Sequence, residues 1–342
     1  MDCIARLMNE LEVGPARTYA GLTVYPLLGA RGKPAETGYR VLDEALRERS
    51  IRITEVEGGG SVPELKLTND GDRPVLLLDG EELVGAKQNR VLNITVLAPA
   101  GKTIVIPVSC VEAGRWAMTG DAAFATAQHL MFSGARQAKA RQVAASLSAN
   151  RGYRSDQNAV WEQLANKADA MMTDSPTGAM RDVYTDHSRS IDEYVRAFPA
   201  VDGQVGAVFA IGDSLSGVDL FDHPSTLRVL LPKLVRSYAL DAIEHGRRGH
   251  AHAVADAEAV ASFLREVGKA KAESRPGVGL GEDVRLDGPK VLGGALVHED
   301  RVVHLGAFRK QEGNGFGSDP RGTVAETRSR IARYGQRRRG RN

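Results

Sequence analysis

Cysteine is scarce: Cys3 and Cys110 are the only two in 342 residues. Two thiols in so long a chain cannot build a disulfide framework, so a reducing, cytoplasmic location is expected. An excess of one charge is also missing. Lys and Arg together number 45 and Asp and Glu 43, a net charge of +2, which argues against a nucleic-acid-binding surface spread over the molecule. No apolar run reaches the roughly 18 residues that a membrane span needs. The opening residues, MDCIARLMNELEVG, lack the basic and then apolar segments of a secretory signal. There is no Walker motif, no G-x-S-x-G elbow, no H-E-x-x-H and no C-x-x-C, so the commonest signatures of nucleotide, hydrolase and zinc chemistry are absent. The sequence names no cofactor.

What is present suits a soluble globular protein: 42% hydrophobic and 26% charged residues, enough chain for one large or two moderate domains with a real core. Residues 18–116 hold about six β-branched runs separated by turn signals every ten or so residues, such as Asn69-Asp70-Gly71-Asp72 and Pro99-Ala100-Gly101. That spacing favours an antiparallel sandwich or barrel over βαβ units. A short amphipathic helix is expected over 1–13, and another in TGYRVLDEALRERS capped by Thr37. From 121 to 147 the chain is rich in Ala, Gln and Arg and reads as one long helix. QNAVWEQLANKADAMM follows, capped by Ser155 or Asp156, then a helix over about 178–197 with Tyr184, Ile191 and Tyr194 as core contacts. QVGAVFAIGDSLSGVDLF (204–221) reads as a hairpin turning near Gly212-Asp213. Pro232 is expected to break or kink the helix after it, because proline lacks an N–H and clashes with the preceding turn. A further helix is expected over about 253–268, then GVGLGED (277–283) as a Gly-rich bend, and two last strands paired across Glu299-Asp300.

The expected fold is therefore α+β: antiparallel sandwich or barrel-like sheets (18–116), a central helical insertion (121–198), and strands and helices over 204–310 that complete one interwoven domain, 1–310. Residues 311–342 read as a flexible basic tail, ending RSRIARYGQRRRGRN. Its one expected binding role is weak attraction to nucleic acid or another polyanion.

Two stretches crowd polar side chains between apolar runs: GEELVGAKQNRVLN (80–93) and IPVSCVEAGRW (106–116). On an extended chain alternate residues share a face, so Gln88 and Arg90 point the same way. A carboxylate with a Lys and an Arg can hold a polar ligand by charge-assisted hydrogen bonds, or can satisfy itself as an ion-pair network at a sheet rim. Cys110 fits a small buried hydrophobe better than a nucleophile, because no Cys-His spacing accompanies it. Arg115 and Trp116 offer flat faces on which a planar ligand could stack, although a tryptophan more often plugs a core. The eight histidines are scattered. His250 and His252 form an HxH pair with no third ligand, His129 and His187 fall in helical segments, and His304 reads as a packed or capping residue. No metal site is expected. Asp222 suits a helix cap, and Asp219 is left for a site or a turn.

GEELVGAKQNR followed by IPVSCVEAGRW, with VFAIGDSLSGVDLF, PKLVRSYALDA and VVHLGAF further on, resembles the domain family named for its association with ADP-ribosylglycohydrolases and rhodanese-phosphatases. The resemblance runs from about residue 18 to 309. In some relatives the middle position of Gln88-Asn89-Arg90 is acidic. The resemblance carries no settled reaction. It implies that Glu82, Lys87, Gln88, Arg90, Glu112 and Arg115 converge, and its company suggests ADP-ribose-like or other nucleotide-derived ligands.

The expectation is a protein that binds a polar, phosphorylated or nucleotide-like small molecule and could hydrolyse it or transfer a group. Lys87, Arg90 and Arg115 would neutralise the ligand, Gln88 orient it, and Trp116 stack on it. Glu82 or Glu112 would accept from hydroxyls or act as general base. The competing expectation is a non-catalytic scaffold or partner-binding module, a homo-oligomer assembled through the 121–147 helix.

Overall fold

A computed structural model describes residues 2–29, 36–56, 63–116, 123–248 and 256–310. The basic tail and the His250/His252 pair lie outside the described residues. In chain order come α1 (Asp2–Glu10), β1 (Glu12–Val13), β2 (Arg17–Tyr19), β3 (Leu22–Leu28), β4 (Arg40–Val41), α2 (Leu42–Arg47), β5 (Ile51–Glu55), β6 (Glu64–Asn69), β7 (Val75–Leu77), β8 (Glu81–Gly85), β9 (Arg90–Leu92), β10 (Val96–Ala98), β11 (Lys102–Cys110) and β12 (Phe124–Leu130). Then follow α3 (Ser133–Ser148), α4 (Gln157–Met171), α5 (Met180–Asp186), α6 (Ser188–Ala197), β13 (Gln204–Ile211), β14 (Ser214–Phe221), α7 (Pro224–Arg247), α8 (Ala257–Gly268), β15 (Lys271–Pro276), β16 (Glu282–Asp287), β17 (Val291–His298) and β18 (Arg301–Arg309). The fold is α+β, as its texture predicts.

The strands form three sheets. The largest runs β1-β3-β13-β14-β18-β17-β16-β15, with β2 beside β3. An early strand, β3, thus joins strands laid down almost two hundred residues later, so the late strands complete an early sheet. QVGAVFAI is apolar almost throughout because this sheet is covered on both faces. Ala207 and Phe209 meet Leu227, Leu231 and Tyr238 of α7 on one side. Val205 and Val208 meet Ile4 and Met8 of α1 and Val260 and Phe263 of α8 on the other.

A second sheet runs β12-β8-β9-β11-β6-β5. It curls until its two edge strands approach, joined by an isolated bridge between Thr54 and Ala123. The result is a small barrel-like enclosure lined by Ile51, Ile53, Leu65, Leu67, Leu83, Ile106, Val108 and Phe124. The third sheet, β10-β7-β4, contains a parallel pair, β4 with β7.

Several expectations are corrected. The 121–147 segment is not one helix: 124–130 is strand β12, paired with β8, and α3 begins only at Ser133. Thr37 does not cap α2; Arg40 and Val41 first pair with β7, and the Thr37 hydroxyl donates to the Tyr39 carbonyl. Asn69-Asp70-Gly71-Asp72 turns the chain, with Gly71 N–H donating to Asn69 Oδ1, but β6 and β7 enter different sheets instead of pairing. The 178–197 helix is two, α5 and α6. GVGLGED is the Gly-rich bend expected, and it turns an antiparallel hairpin, β15 with β16, whose first strand was not expected. Helix α7 runs unbroken through Pro232. That proline is exposed, as is Arg228 four residues earlier, so the carbonyl left without a donor lies on the solvent side, where water can satisfy it. Asp156, by contrast, caps α4 as expected, accepting from Asn158 and Ala159 N–H.

Candidate functional site

The strand ladder decides which of the polar side chains meet. Arg90 stands directly opposite Leu83 on one side and Cys110 on the other. Directly opposed residues share a face, so Arg90 points with Leu83 and Cys110 into the small barrel. Glu82 pairs with Val91 instead and therefore points out of the other face. There it accepts from His129 Nε2 at 2.6 Å, and the His129 ring stacks on Tyr184 at 3.7 Å. His129 lies on strand β12, not on a helix. Glu82 does not join the other predicted site residues.

The rest converge at one end of the barrel. The chain from Gly85 to Arg90 makes a tight turn that its neighbours hold closed. Arg115 donates to the Ala86 carbonyl at 2.6 Å and to Asn89 Oδ1 at 3.1 Å, and pairs with Glu112 Oε2 at 2.7 Å. Glu112 also accepts from Asn89 N–H at 3.2 Å and from the Thr177 hydroxyl at 2.9 Å. Burial raises the Glu112 pKa, but these hydrogen bonds and the Arg115 charge more than offset it and hold the carboxyl below its ordinary value. Gln88 donates to the Glu112 carbonyl at 3.1 Å and accepts from Arg90 Nη1 at 3.0 Å. Glu112, Arg115 and Gln88 are thus committed to shaping the turn.

Arg90 is different. Its side chain is wholly buried, and Nε and Nη2 have no hydrogen-bond partner. Burial, with the Arg115 charge beside it, pushes its pKa down against the opposing pull of Cys110, Glu55 and Glu112. Facing it is Glu55, a residue not marked by either polar stretch, whose Oε1 and Oε2 also have no hydrogen-bond partner. The closest approach, Nη2 to Oε1, is 3.8 Å, too long for a hydrogen bond. Above them Trp116 is half exposed, its ring 5.7 Å from the Arg90 guanidinium carbon and 5.3 Å from Lys87 Nζ. Trp116 does not plug the core. Cys110, beside Arg90, is buried and free, and burial raises its pKa, the environment of a small hydrophobe and not of a nucleophile.

A second polar cluster went unread in the sequence. Arg136 of α3 and Asp219 of β14 form a fully buried bidentate pair, 2.6 and 3.1 Å. Tyr238 donates to Asp219 at 3.2 Å. His304 lies with Nε2 at 3.4 Å from Asp219 and Nδ1 at 2.8 Å from the Thr95 hydroxyl. Burial raises the Asp219 pKa, but the Arg136 charge and the His304 and Arg136 hydrogen bonds outweigh it and hold the carboxyl far below the usual range. Nearby, Lys139 pairs with Asp79, and Arg285 with Asp283. Three cations face three carboxylates, so the charges of this interior are matched, with Arg136 Nε left without a hydrogen-bond partner. The cavity it encloses, about 10 Å³, has room for about one water. Asp222 is no cap either: it accepts from Tyr39 at 2.5 Å, and His223 Nδ1 caps α7 through Ser225 N–H.

The stretches that carry the family resemblance meet in these two clusters: 80–93 with 106–116 at the barrel, and Asp219, Tyr238 and His304 in the interior. The ARG and Rhodanese-Phosphatase-superfamily-associated Protein domain matches residues 10–308. The chain belongs to that family. The match spans both clusters and all three sheets. No curated protein and no solved structure matches the chain. No helix among the described residues is long and apolar enough to cross a membrane, and among them no group of three or more His, Cys, Asp or Glu is placed to hold a metal ion.

Proposed function

We propose that this protein binds a polar, phosphorylated or nucleotide-like small molecule at the end of the small barrel, where Arg90, Glu55, Lys87 and Trp116 meet. One observation carries the reading: Arg90 and Glu55 are opposite buried charges, yet four of their polar atoms have no hydrogen-bond partner. A buried donor or acceptor left unmade costs about 1–3 kcal/mol, more when charged, so such atoms call for a partner from outside the chain. Barrel mouths are recurrent ligand sites. Lys87 adds charge for a phosphate, and the half-exposed indole offers a stacking face.

The geometry supports binding better than catalysis by the acids proposed for it. Glu112 spends one oxygen on Asn89 and Arg115 and the other on Thr177, and Glu82 faces His129 on the far side of the sheet. Hydrolysis or group transfer on the ligand would need another base. The family name adds an association only: with ARG read as ADP-ribosylglycohydrolase, an ADP-ribose-type ligand is the natural first probe. A cytoplasmic location accords with that ligand class.

Thermal unfolding with ADP-ribose and a panel of nucleotides is the test. A true ligand at 100 times its Kd should stabilise the protein by about 2.7 kcal/mol. Lys87→Ala and Trp116→Ala alter partly exposed side chains, so both variants should fold and lose that gain. If no member of the panel stabilises a cooperatively folding protein, the non-catalytic partner-binding module is the better account.

A further inference from the structure

The unpartnered atoms at the barrel end form a pattern, and the pattern specifies a chemistry. Arg90 commits Nη1 to Gln88 and leaves its side-on fork, Nε and Nη2, without acceptors. Glu55 leaves both carboxylate oxygens without donors. Nη2 and Oε1 are the nearest pair, at 3.8 Å. That is too long for a hydrogen bond, so two donors of Arg90 and two acceptors of Glu55 lie near one another with none of them satisfied. The complement is a single edge presenting two donors beside two acceptors. Because an indole ring lies over the Arg90 guanidinium, that edge belongs to something flat that can take up the same stacking position.

Among nucleobases, guanine has that edge. Its 2-amino group and N1–H are adjacent donors fitted to a carboxylate, and O6 and N7 are adjacent acceptors fitted to an arginine fork. O6 and N1 adjoin on the ring, so the arginine and the carboxylate that read them must themselves be neighbours, as Arg90 and Glu55 are. Adenine carries both of its edge hydrogens on one nitrogen flanked by acceptors, and cannot give Glu55 two parallel donors. Uracil has one ring N–H between two carbonyls and fails on the same count. Hypoxanthine keeps N1–H, O6 and N7 but lacks the 2-amino donor.

We propose that the barrel end is a guanine-recognition site: Glu55 reads N1–H and the 2-amino group, Arg90 reads O6 and N7, Trp116 stacks on the base, and Lys87 meets the attached phosphate. This rests on the ligand site proposed above and names the base it selects. Gln88 is a positioning residue here, since its bond to Nη1 turns the Arg90 fork toward Glu55. Trp116 lies over Arg90 and is half exposed, so binding should shift the ring.

Isothermal titration calorimetry of the full chain with GMP, IMP, AMP and ADP-ribose is the test. GMP should bind more tightly than AMP by roughly 5- to 150-fold, the range for one bidentate base contact, with IMP between them. Glu55→Gln, which replaces one acceptor by a donor, should collapse the GMP-to-AMP ratio toward one. AMP or ADP-ribose binding as tightly as GMP would overturn the base assignment while leaving the ligand site standing. Binding of none of the four, with water alone filling the gap, would overturn both. An unchanged GMP-to-AMP ratio in Glu55→Gln would overturn the role of Glu55. Should that variant not fold, the comparison of GMP with IMP on the native protein decides the same point, and equal affinities would sink the proposal.

Discussion

Arg136 and Asp219 are the deepest opposite charges described in the molecule, both side chains at 0% exposure. A buried pair stabilises little compared with an apolar replacement, but breaking it leaves one charge without its counter-ion. Arg136→Met alone, or Asp219→Asn alone, should therefore cost about 3–5 kcal/mol in urea unfolding. The double variant should cost clearly less than the sum, because neither charge is then orphaned. An additive double variant would mean that the pair does not act as a unit. The same carboxyl sets a pH dependence. Its folded pKa is depressed by Arg136 and by the His304 and Arg136 hydrogen bonds against the opposing effect of burial. Its contribution is therefore full above the unfolded value near ~3.9 and is lost as pH falls below that toward the folded value. The stability gap between the native chain and Asp219→Asn should be constant from neutral pH down to about 5 and narrow below about 4; a gap that widens in acid would refute the assignment. At this scale the sequence was partly legible. Lys87, Gln88, Arg90, Glu112 and Arg115 do gather, as the family resemblance implied, with Trp116 beside them. Glu82 does not, because one residue along a strand reverses the face. Glu55 went unread although it follows Ile51 and Ile53 at the spacing of two that marks the buried face of β5: an acid in the buried phase of an alternating strand was the available signal.

Two elements show where local pattern yields to packing. ATAQHL in β12 has the composition of a helix, and a register shift between Thr126 and Leu130 blurs its alternation. It is a strand because β8 offers a ladder and because its edge meets β5 through Ala123 and Thr54. α3 hides its buried face differently. Ala140, Val143 and Leu147 recur at helical spacing, but Arg136 and Lys139 continue the same buried stripe, so the apolar pattern alone is too weak to reveal it. Its charges become intelligible only beside Asp219 and Asp79, which lie far away in the sequence. Gly80 lets this helix close in: φ there is +87°, and a Cβ would stand 3.0 Å from the Arg136 side chain. α7 is the converse case, a helix that the sequence interrupts and the fold does not. If Pro232 is merely tolerated on the exposed side, Pro232→Ala should restore the bond to the Arg228 carbonyl and raise stability by about 1–3 kcal/mol in thermal unfolding. A loss instead would show that the packing of Leu227, Leu231, Leu234 and Tyr238 depends on a bend at that proline.

For the whole molecule, the return of β13, β14 and β18 to β3 makes one large sheet from distant parts of the chain, and the barrel-like sheet is built from residues 51–130. Strand texture predicted the first in outline, since the late strands had no core of their own. A barrel-like sheet was one of the two alternatives that the turn spacing favoured, but which strands close it was beyond reach, because that depends on a single bridge between two edge strands whose sequences do not announce each other. That curl matters for function: β5 is the far edge of its sheet from β8 and β9, and only closure brings Glu55 to Arg90. Along the sequence the proposed binding site is also distant from the basic tail. Every residue assigned to ligand recognition lies between Glu55 and Trp116, whereas the arginine-rich segment begins beyond residue 320. Removing residues 311–342 should therefore leave nucleotide affinity within about twofold, a change of about 0.4 kcal/mol, and should leave its modest dependence on salt unaltered. Should truncation abolish binding, most severely at low salt where polyanion attraction is strongest, the tail and not the barrel end would hold the ligand, and the unpartnered atoms of Arg90 and Glu55 would need a buried water as their explanation.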